Sequence, residues 1–391
     1  MHKRLFYLDN LKTFALLLGV LFHTSIVYAL DIGYAIKNSN LSYLFNILTH
    51  LIHVFRMPLF FFLSGFFSYM VLDNKGGKNF TLSRIERMFA PMLVGLVFFS
   101  PVQYYLVYNQ KHSSISFWKF YSIFFTTSQF DFSHIWFLVY LSIFSFILII
   151  EYKFRIIEKI FISTKFFLRF KMILSNNNFF ADSYYLLFGK GVLFCFTAFF
   201  FTNFIFNKDE SILRIQPVSF FYYLSFFISG VIAYKNKILQ NFTLNPNITK
   251  PTIFIYLGVL FLLFVLFLFL NEIDPYWMNF QNECKKIILR GVHLFVDTSL
   301  AWSFIFLLLY FFKKYLDNTK HILDYLRNSG MSIYLIHHPI SLILADYFMN
   351  TKISLWMKFS LHSILVYFLS FLFYHFIIKK SFILKRVFGT K

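Results

Sequence analysis

Residues 11–30 read LKTFALLLGVLFHTSIVYAL, a run in which Lys12 is the only fully charged side chain. At 1.5 Å of rise per residue, a helix of this length covers about 30 Å, the thickness of a bilayer's hydrocarbon core. The basic start before it (His2, Lys3, Arg4) suggests a secretory leader. The run is too long for a leader's apolar region, and it contains Lys12 and His23, which such a region avoids. It reads as a first membrane helix that is kept.

The same pattern recurs along the chain. Working outward from 12–30, the expected spans are 43–71, 89–108, 134–151, 186–206, 218–235, 252–271, 290–312, 330–349 and 356–378. The composition agrees. Hydrophobic residues make up 58% and charged residues only 14%, where a soluble domain has nearer a quarter charged. The expected fold is all-α, a polytopic membrane bundle of about ten transmembrane helices in a single domain over residues 1–391. No internal repeat is visible, which argues against the inverted-repeat plan of many transporters. The longest polar connection, from Glu151 to Lys190, is basic and suits a short helix on the membrane surface.

The net charge is +20. In a soluble chain that excess would suggest a nucleic-acid partner. Here the Lys and Arg residues concentrate in alternate loops, on the side of the N-terminus, and so set orientation. Both termini are expected in the cytoplasm, the protein in a bacterial inner membrane among its lipids, and no nucleic acid is implied. The two cysteines, Cys195 and Cys284, stand alone with no metal-binding spacing, so neither a disulfide framework nor a zinc site is expected.

Ionisable groups within the hydrocarbon are costly and mark function by default. His23 lies in the first span. His53 and Arg56 share a face of the second, His293 and Asp297 a face of the eighth, and His337 and His338 lie in the ninth. Lys12 and His23 are eleven residues apart, almost three full turns, so both point the same way about 16 Å apart along the axis. The second helix runs in the opposite direction, which puts Arg56 at about the depth of His23. Arg84 and Arg87, three apart before the third span, suit a phosphate-bearing ligand. Plainer readings stand beside these. Arg84 and Arg87 also fit ordinary positive-inside anchoring, and a neutral histidine between helices also serves as packing glue. Arg56 has the weakest plain reading, because a guanidinium at that depth must find an anion or several carbonyls. His362 and His375 suggest no role, and the Phe and Tyr runs read as lipid-facing bulk.

Five stretches, taken in order, resemble the integral-membrane acyltransferase family 3: Tyr7-Leu8-Asp9-Asn10-Leu11-Lys12 followed by His23; Phe55-Arg56-Met57-Pro58-Leu59-Phe60-Phe61 running into Ser64-Gly65-Phe66-Phe67-Ser68-Tyr69-Met70; Arg84-Ile85-Glu86-Arg87 with Pro91-Met92; Ser133-His134-Ile135-Trp136-Phe137-Leu138; and Ser332-Ile333-Tyr334-Leu335-Ile336-His337-His338-Pro339. The resemblance runs over nearly the whole chain and is weakest from Glu151 to Leu289. One departure matters. The family's first helix usually has Arg, ten residues, then His, and Lys12 holds the Arg position here. It keeps the charge but not the planar fork. Within the family the combination is most similar to the branch held to succinylate osmoregulated periplasmic glucans.

The resemblance implies an acyl-CoA co-substrate in the cytoplasm, succinyl-CoA for this branch, and a glycan hydroxyl on the other face. It implies no bound cofactor. Glucan-synthesis proteins are the expected partners besides acyl-CoA, periplasmic glucan and lipid. Lys12, Arg84 and Arg87 would hold the nucleotide head of coenzyme A, and the pantetheine arm would run beside the first helix toward His23. His23 is the expected general base, since imidazole titrates near working pH. Arg56 would stabilise the oxyanion or bind the succinyl carboxylate. Asp297 is the expected acidic partner orienting His23. His53, His134, Trp136, His337 and His338 are expected along the substrate path. Ser64 reads as helix packing beside Gly65, so direct transfer is favoured over an acyl-enzyme. Acetyl transfer to another envelope glycan, or glycan or lipid transport without chemistry, are the competing readings.

Overall fold

A computed structural model describes residues 4–111, 115–126, 130–154, 183–206, 210–242, 250–277 and 283–390. In chain order its helices are α1 (Phe6–Tyr28), α2 (Tyr43–Arg84), α3 (Ala90–Val94), α4 (Ser100–Lys111), α5 (Phe117–Phe124), α6 (Trp136–Phe154), α7 (Ser183–Ile205), α8 (Pro217–Lys235), α9 (Lys250–Trp277), α10 (Glu283–Tyr315), α11 (His321–Met349), α12 (Leu355–Phe373) and α13 (Phe382–Val387). No β-strand forms among the described residues, so the all-α expectation holds.

All ten expected spans overlap helices. Eight helical segments among the described residues are long and apolar enough to cross a membrane. The difference has two sources. Tyr43–Gln110 is one 68-residue segment that absorbs two expected spans. α11 carries Asp324, Arg327, His337 and His338 and is too polar to qualify. The merged stretch is not regular. Gly76 interrupts α2 with φ 71°, a left-handed backbone that glycine adopts without a Cβ penalty. π-helical turns at Ile85–Phe89 and Gly95–Phe99 flank α3. The surface helix expected between Glu151 and Lys190 falls mostly outside the described residues.

The chain divides into two compact units. The first comprises Met1–Met57, Leu82–Val139 and Tyr315–Lys391. In it α1 packs against α11 and α12. Apolar contacts carry part of that packing, through Val20, Ile333 and Val366 and through Val27, Tyr28, Phe45 and Leu342. Polar side chains carry the rest, as membrane helices require when lipid offers no hydrophobic gradient between them. Thr24 and Ser363 share a hydroxyl–hydroxyl bond of 2.9 Å. Buried His362 is satisfied on both sides, by the Tyr28 hydroxyl at 3.2 Å and by Ser341. Its hydrogen bonds tie α12 to α1 and α11.

The second unit comprises Pro58–Thr81 and Tyr140–Lys314. Here α2 and α8 approach backbone to backbone. A Cβ on Gly65 would overlap the Phe227 carbonyl oxygen, and one on Gly230 would overlap that of Phe62. This small-residue seam lets Trp302 sit on Phe226 with ring centroids 5.4 Å apart and edge-on to Phe62. At one end of α8, Lys235 pairs with Glu151 at 3.2 Å, both largely buried.

Candidate active site

The first unit gathers four imidazoles and one guanidinium. Gly19, one turn before His23 on the same face of α1, makes room for them. A Cβ there would lie 2.7 Å from Nη1 of Arg56 and 3.7 Å from Nε2 of His337. The Arg56 guanidinium also lies over the Phe22 ring, 4.7 Å from its centroid. Such a cation–π contact partly replaces lost hydration. The Arg56 guanidinium therefore reaches α1 one turn before His23.

The His23 ring is 5.2 Å from that of His337 and 4.4 Å, edge-on, from that of His338. Its Nδ1 is 3.0 Å from the hydroxyl of Tyr34, and the same hydroxyl is 2.7 Å from Nε2 of His338. Nε2 of His23 makes no hydrogen bond among the described residues, and the ring is only half-buried. These two features leave Nε2 free to meet a substrate.

The other imidazoles have more fixed roles. His337 gives its Nδ1–H to the Ile333 carbonyl at 2.9 Å. A carbonyl only accepts, so the neutral ring carries its lone pair on Nε2. That atom is buried without a hydrogen-bond partner among the described residues and faces the Gly19 notch. His134 is committed at both nitrogens. Nε2 reaches the Leu335 carbonyl at 3.2 Å, and the Gln103 amide reaches Nδ1 at 3.2 Å. Gln103 is held in turn by the Ser133 hydroxyl. Ser133 adopts φ 50°, unusual for a residue with a side chain, in the turn that opens α6. His134 stacks on His338 at 4.8 Å and 12°, and its carbonyl accepts from the Tyr334 hydroxyl. His134 thus braces the cluster from behind.

At the far end of the α1 stripe, the charges of Arg84, Arg87 and Asp9 all act on Lys12. The three expected cations are therefore neighbours. Arg84 sends Nη1 to the Met88 sulfur at 3.4 Å, and Arg87 is exposed. The backbone of Arg87 is covered by Gly389, whose φ of 63° turns the chain after α13.

His53, Trp136 and Asp297 complete the expected set. His53 is exposed on its helix, with its ring stacked on Phe22 at 5.2 Å. Trp136 opens α6 half-buried, edge-on to Phe137. Asp297 belongs to the second unit, where its charge acts on Tyr222. Among the described residues the Nδ1 of His23 is met by the hydroxyl of Tyr34, and a neutral hydroxyl is far cheaper to hold there than a carboxylate. Tyr34 and Gln103 carry no sequence signal of their own; Tyr34 is one of 25 tyrosines, in a short loop. Gly19 was legible in principle, seven residues from Lys12 and four from His23 on one face.

The notch itself is testable. Gly19→Ala places a methyl 2.7 Å from the end of a flexible arginine, so the fold is expected to survive while the guanidinium shifts. A displacement of about 1 Å at a reacting centre costs up to about 100-fold in rate. The variant should elute as the parent does on size exclusion and show a clear loss in turnover; unchanged turnover would detach the notch from the chemistry.

Residues 5–375 match a family model described as an acyltransferase domain. Glucans biosynthesis protein C of Escherichia coli O1:K1 / APEC is 26% identical over 363 residues, covering 91% of this chain and 87% of that protein. The same protein from Escherichia coli strain K12 / DH10B is 26% identical over 360 residues, with the same coverage. No solved structure matches the chain.

Proposed function

The chain belongs to the acyltransferase family whose model spans residues 5–375, and from that premise we propose that it transfers a succinyl group from cytoplasmic succinyl-CoA to a glucose hydroxyl of a periplasmic glucan. With its membrane-length helices, it is an integral-membrane acyltransferase. The bacterial inner membrane, with both termini in the cytoplasm, is the setting that lets one bundle face both substrates.

The observation that carries this reading is the convergence of Arg56, His23 and His337 Nε2 around Gly19, on the helix face that also bears Lys12. A guanidinium at this depth suits an anion, and the terminal carboxylate of a succinyl group is one. The names of the relatives support a glucan acceptor. Lys12 with Arg84 and Arg87 forms a cationic rim suited to the phosphates of coenzyme A. The separation of about 16 Å from Lys12 to His23 matches the order of length of a pantetheine arm.

In this reading Nε2 of His23 takes the proton of the sugar hydroxyl as its oxygen attacks the thioester carbonyl. The C–O bond forms and the C–S bond breaks while Arg56 holds the succinyl carboxylate. The His23 imidazolium returns the proton to the departing thiolate, so the products are ester and free coenzyme A. His134 and His338 shape the wall behind His23, and His337 offers an acceptor nitrogen to a second substrate hydroxyl.

Arg56→Ala discriminates among donors. If the guanidinium binds the succinyl carboxylate, its loss removes a charge-assisted contact of about 1.5–3 kcal/mol, or about 10- to 150-fold. Turnover of succinyl-CoA should fall by that factor while acetyl-CoA turnover holds. An equal fall for both donors would place Arg56 at the oxyanion instead. Incubating purified protein with several acyl-CoAs and periplasmic glucan, with mass spectrometry of the glucan, tests the whole proposal. Absence of any acyl adduct would sink it.

A further inference from the structure

We infer that Tyr34, in the loop between α1 and α2, is the positioning residue that selects the reactive nitrogen of His23. The inference rests on the acyl-transfer reading above. For Nε2 of His23 to accept a proton, the proton of the neutral ring must sit on Nδ1. The only group bonded to that Nδ1 among the described residues is the Tyr34 hydroxyl, at 3.0 Å. Tyr34 must then receive with its oxygen and give its own hydrogen elsewhere. Nε2 of His338 stands 2.7 Å away to take it. The three groups form a directed chain: His23 Nδ1–H to Tyr34 O, Tyr34 O–H to His338 Nε2.

The chain has only two polarities. In the one just given, His23 is a base at Nε2. In the reverse, Nε2 of His23 carries the proton and is a donor. A hydroxyl with one hydrogen couples the two rings, so the tautomer of His338 sets that of His23. Burial pushes the Tyr34 hydroxyl well above its ordinary pKa, which keeps that single hydrogen in place. During transfer the same chain holds the His23 imidazolium by its Nδ1–H and prevents the ring from rotating.

The loop is built to hold Tyr34 still. The Leu30 amide donates to Asn46 Oδ1 at 2.6 Å, and Asn46 Nδ2 donates to Asp31 at 2.7 Å. The Asn38 amide donates to the Val27 carbonyl at 3.0 Å and the Ser42 amide to that of Tyr28 at 3.0 Å. From α12, buried Lys358 reaches Asn38 at 3.3 Å. A loop tied at both ends to the helix it follows presents its tyrosine in one place, which is what an orienting group needs.

The experiment uses the full chain in detergent, with succinyl-CoA and glucan. Tyr34→Phe keeps the ring and removes only the hydroxyl. Its kcat is expected to fall about 10- to 100-fold, the range seen when partners that orient a functional histidine are lost. The KM for the donor should stay within about a factor of two, because the ring contacts no donor atom in this scheme. His338→Phe should give a similar fall, and the double variant should be no worse than the weaker single, since both break one chain; two independent packing defects would multiply instead. The direct readout is ¹⁵N NMR of histidine-labelled wild-type protein, with His23 assigned by difference against His23→Ala. The proton is expected on Nδ1. A proton on Nε2 of wild-type His23 would overturn the inference, and this reading is made on the wild-type protein, with only the assignment drawn from His23→Ala. Full kcat in Tyr34→Phe, with His23→Ala inactive, would overturn the inference alone. Full activity in His23→Ala would overturn the functional reading itself.

Discussion

His23→Ala should lower kcat/KM for acyl transfer by about 100- to 10,000-fold, the range that a well-placed general base contributes. The expectation rests on geometry. Nε2 of His23 makes no hydrogen bond among the described residues, its Nδ1 is held by Tyr34, and its face of α1 leads to the Arg56 guanidinium over Gly19. The substitution leaves the fold intact for a stated reason. The ring is half-buried, and α1 is fastened to its neighbours elsewhere, by Thr24 to Ser363, by Tyr28 to His362, and by Leu17 to Tyr367. A symmetric size-exclusion peak with lost turnover is the expected pair of results. Residual thioester hydrolysis should fall with transfer, because water in place of the sugar hydroxyl needs the same base. Unreduced transfer would remove His23 from the chemistry.

Gly65→Val should prevent the second unit from folding. Its Cβ would overlap the Phe227 carbonyl oxygen and lie 2.8 Å from the carbonyl carbon. Backbone cannot swing aside as a side-chain tip can, so α2 and α8 must separate. The seam is reciprocal: a Cβ on Gly230 would meet the Phe62 carbonyl carbon and the Phe66 amide nitrogen, each at 2.9 Å. Separation would also loosen Trp302 from Phe226 and Phe62. Overpacking a close helix pair costs about 1–3 kcal/mol where side chains give way, and more where backbone blocks. A loss above about 3 kcal/mol is a large share of a typical stability. The measurable result is a collapse in monodisperse yield and in the midpoint of thermal unfolding. Gly258→Ala is the matched control, since nothing lies within 4 Å of a Cβ there. On an exposed helix face alanine is favoured over glycine, so the control should be neutral or slightly more stable. A Gly65 variant as stable as that control would show that the helices do not pack as described.

Much of the helical plan was legible because hydropathy is a local property. Twenty apolar residues in a row need no partner to declare themselves, and each expected span overlaps a helix. Where the structure differs, the cause is also local and visible afterwards. The helix from Tyr43 runs on past residue 71, through Gly76 and two π-helical turns, and so joins two expected spans. α11 has no stretch as apolar as those of the eight segments, because it carries Asp324 and Arg327 near its start and His337 and His338 at the imidazole cluster.

The site was legible only along single helices. A spacing of eleven places Lys12 and His23 on one face, and antiparallel counting brings Arg56 to about the depth of His23; the structure puts its guanidinium one turn away, at Gly19. The Nδ1 of His23 shows the limit: it is met by Tyr34, a loop residue with no motif around it. Depth along a helix says nothing about which neighbour faces which.

The order of residues alone therefore settles that this chain forms apolar helices and which side chains share a helix face, because rise and rotation per residue are constants of the backbone. Packing alone settles the constellation. His134, His337 and His338 are brought to His23 across separations of 100 to more than 300 residues. Gly19 becomes a notch only because Arg56 and His337 fill it, and the tautomer of each ring is set by a carbonyl or hydroxyl from another turn or another segment. Those choices depend on shape and hydrogen-bond satisfaction between segments distant in the chain, and no local period encodes them.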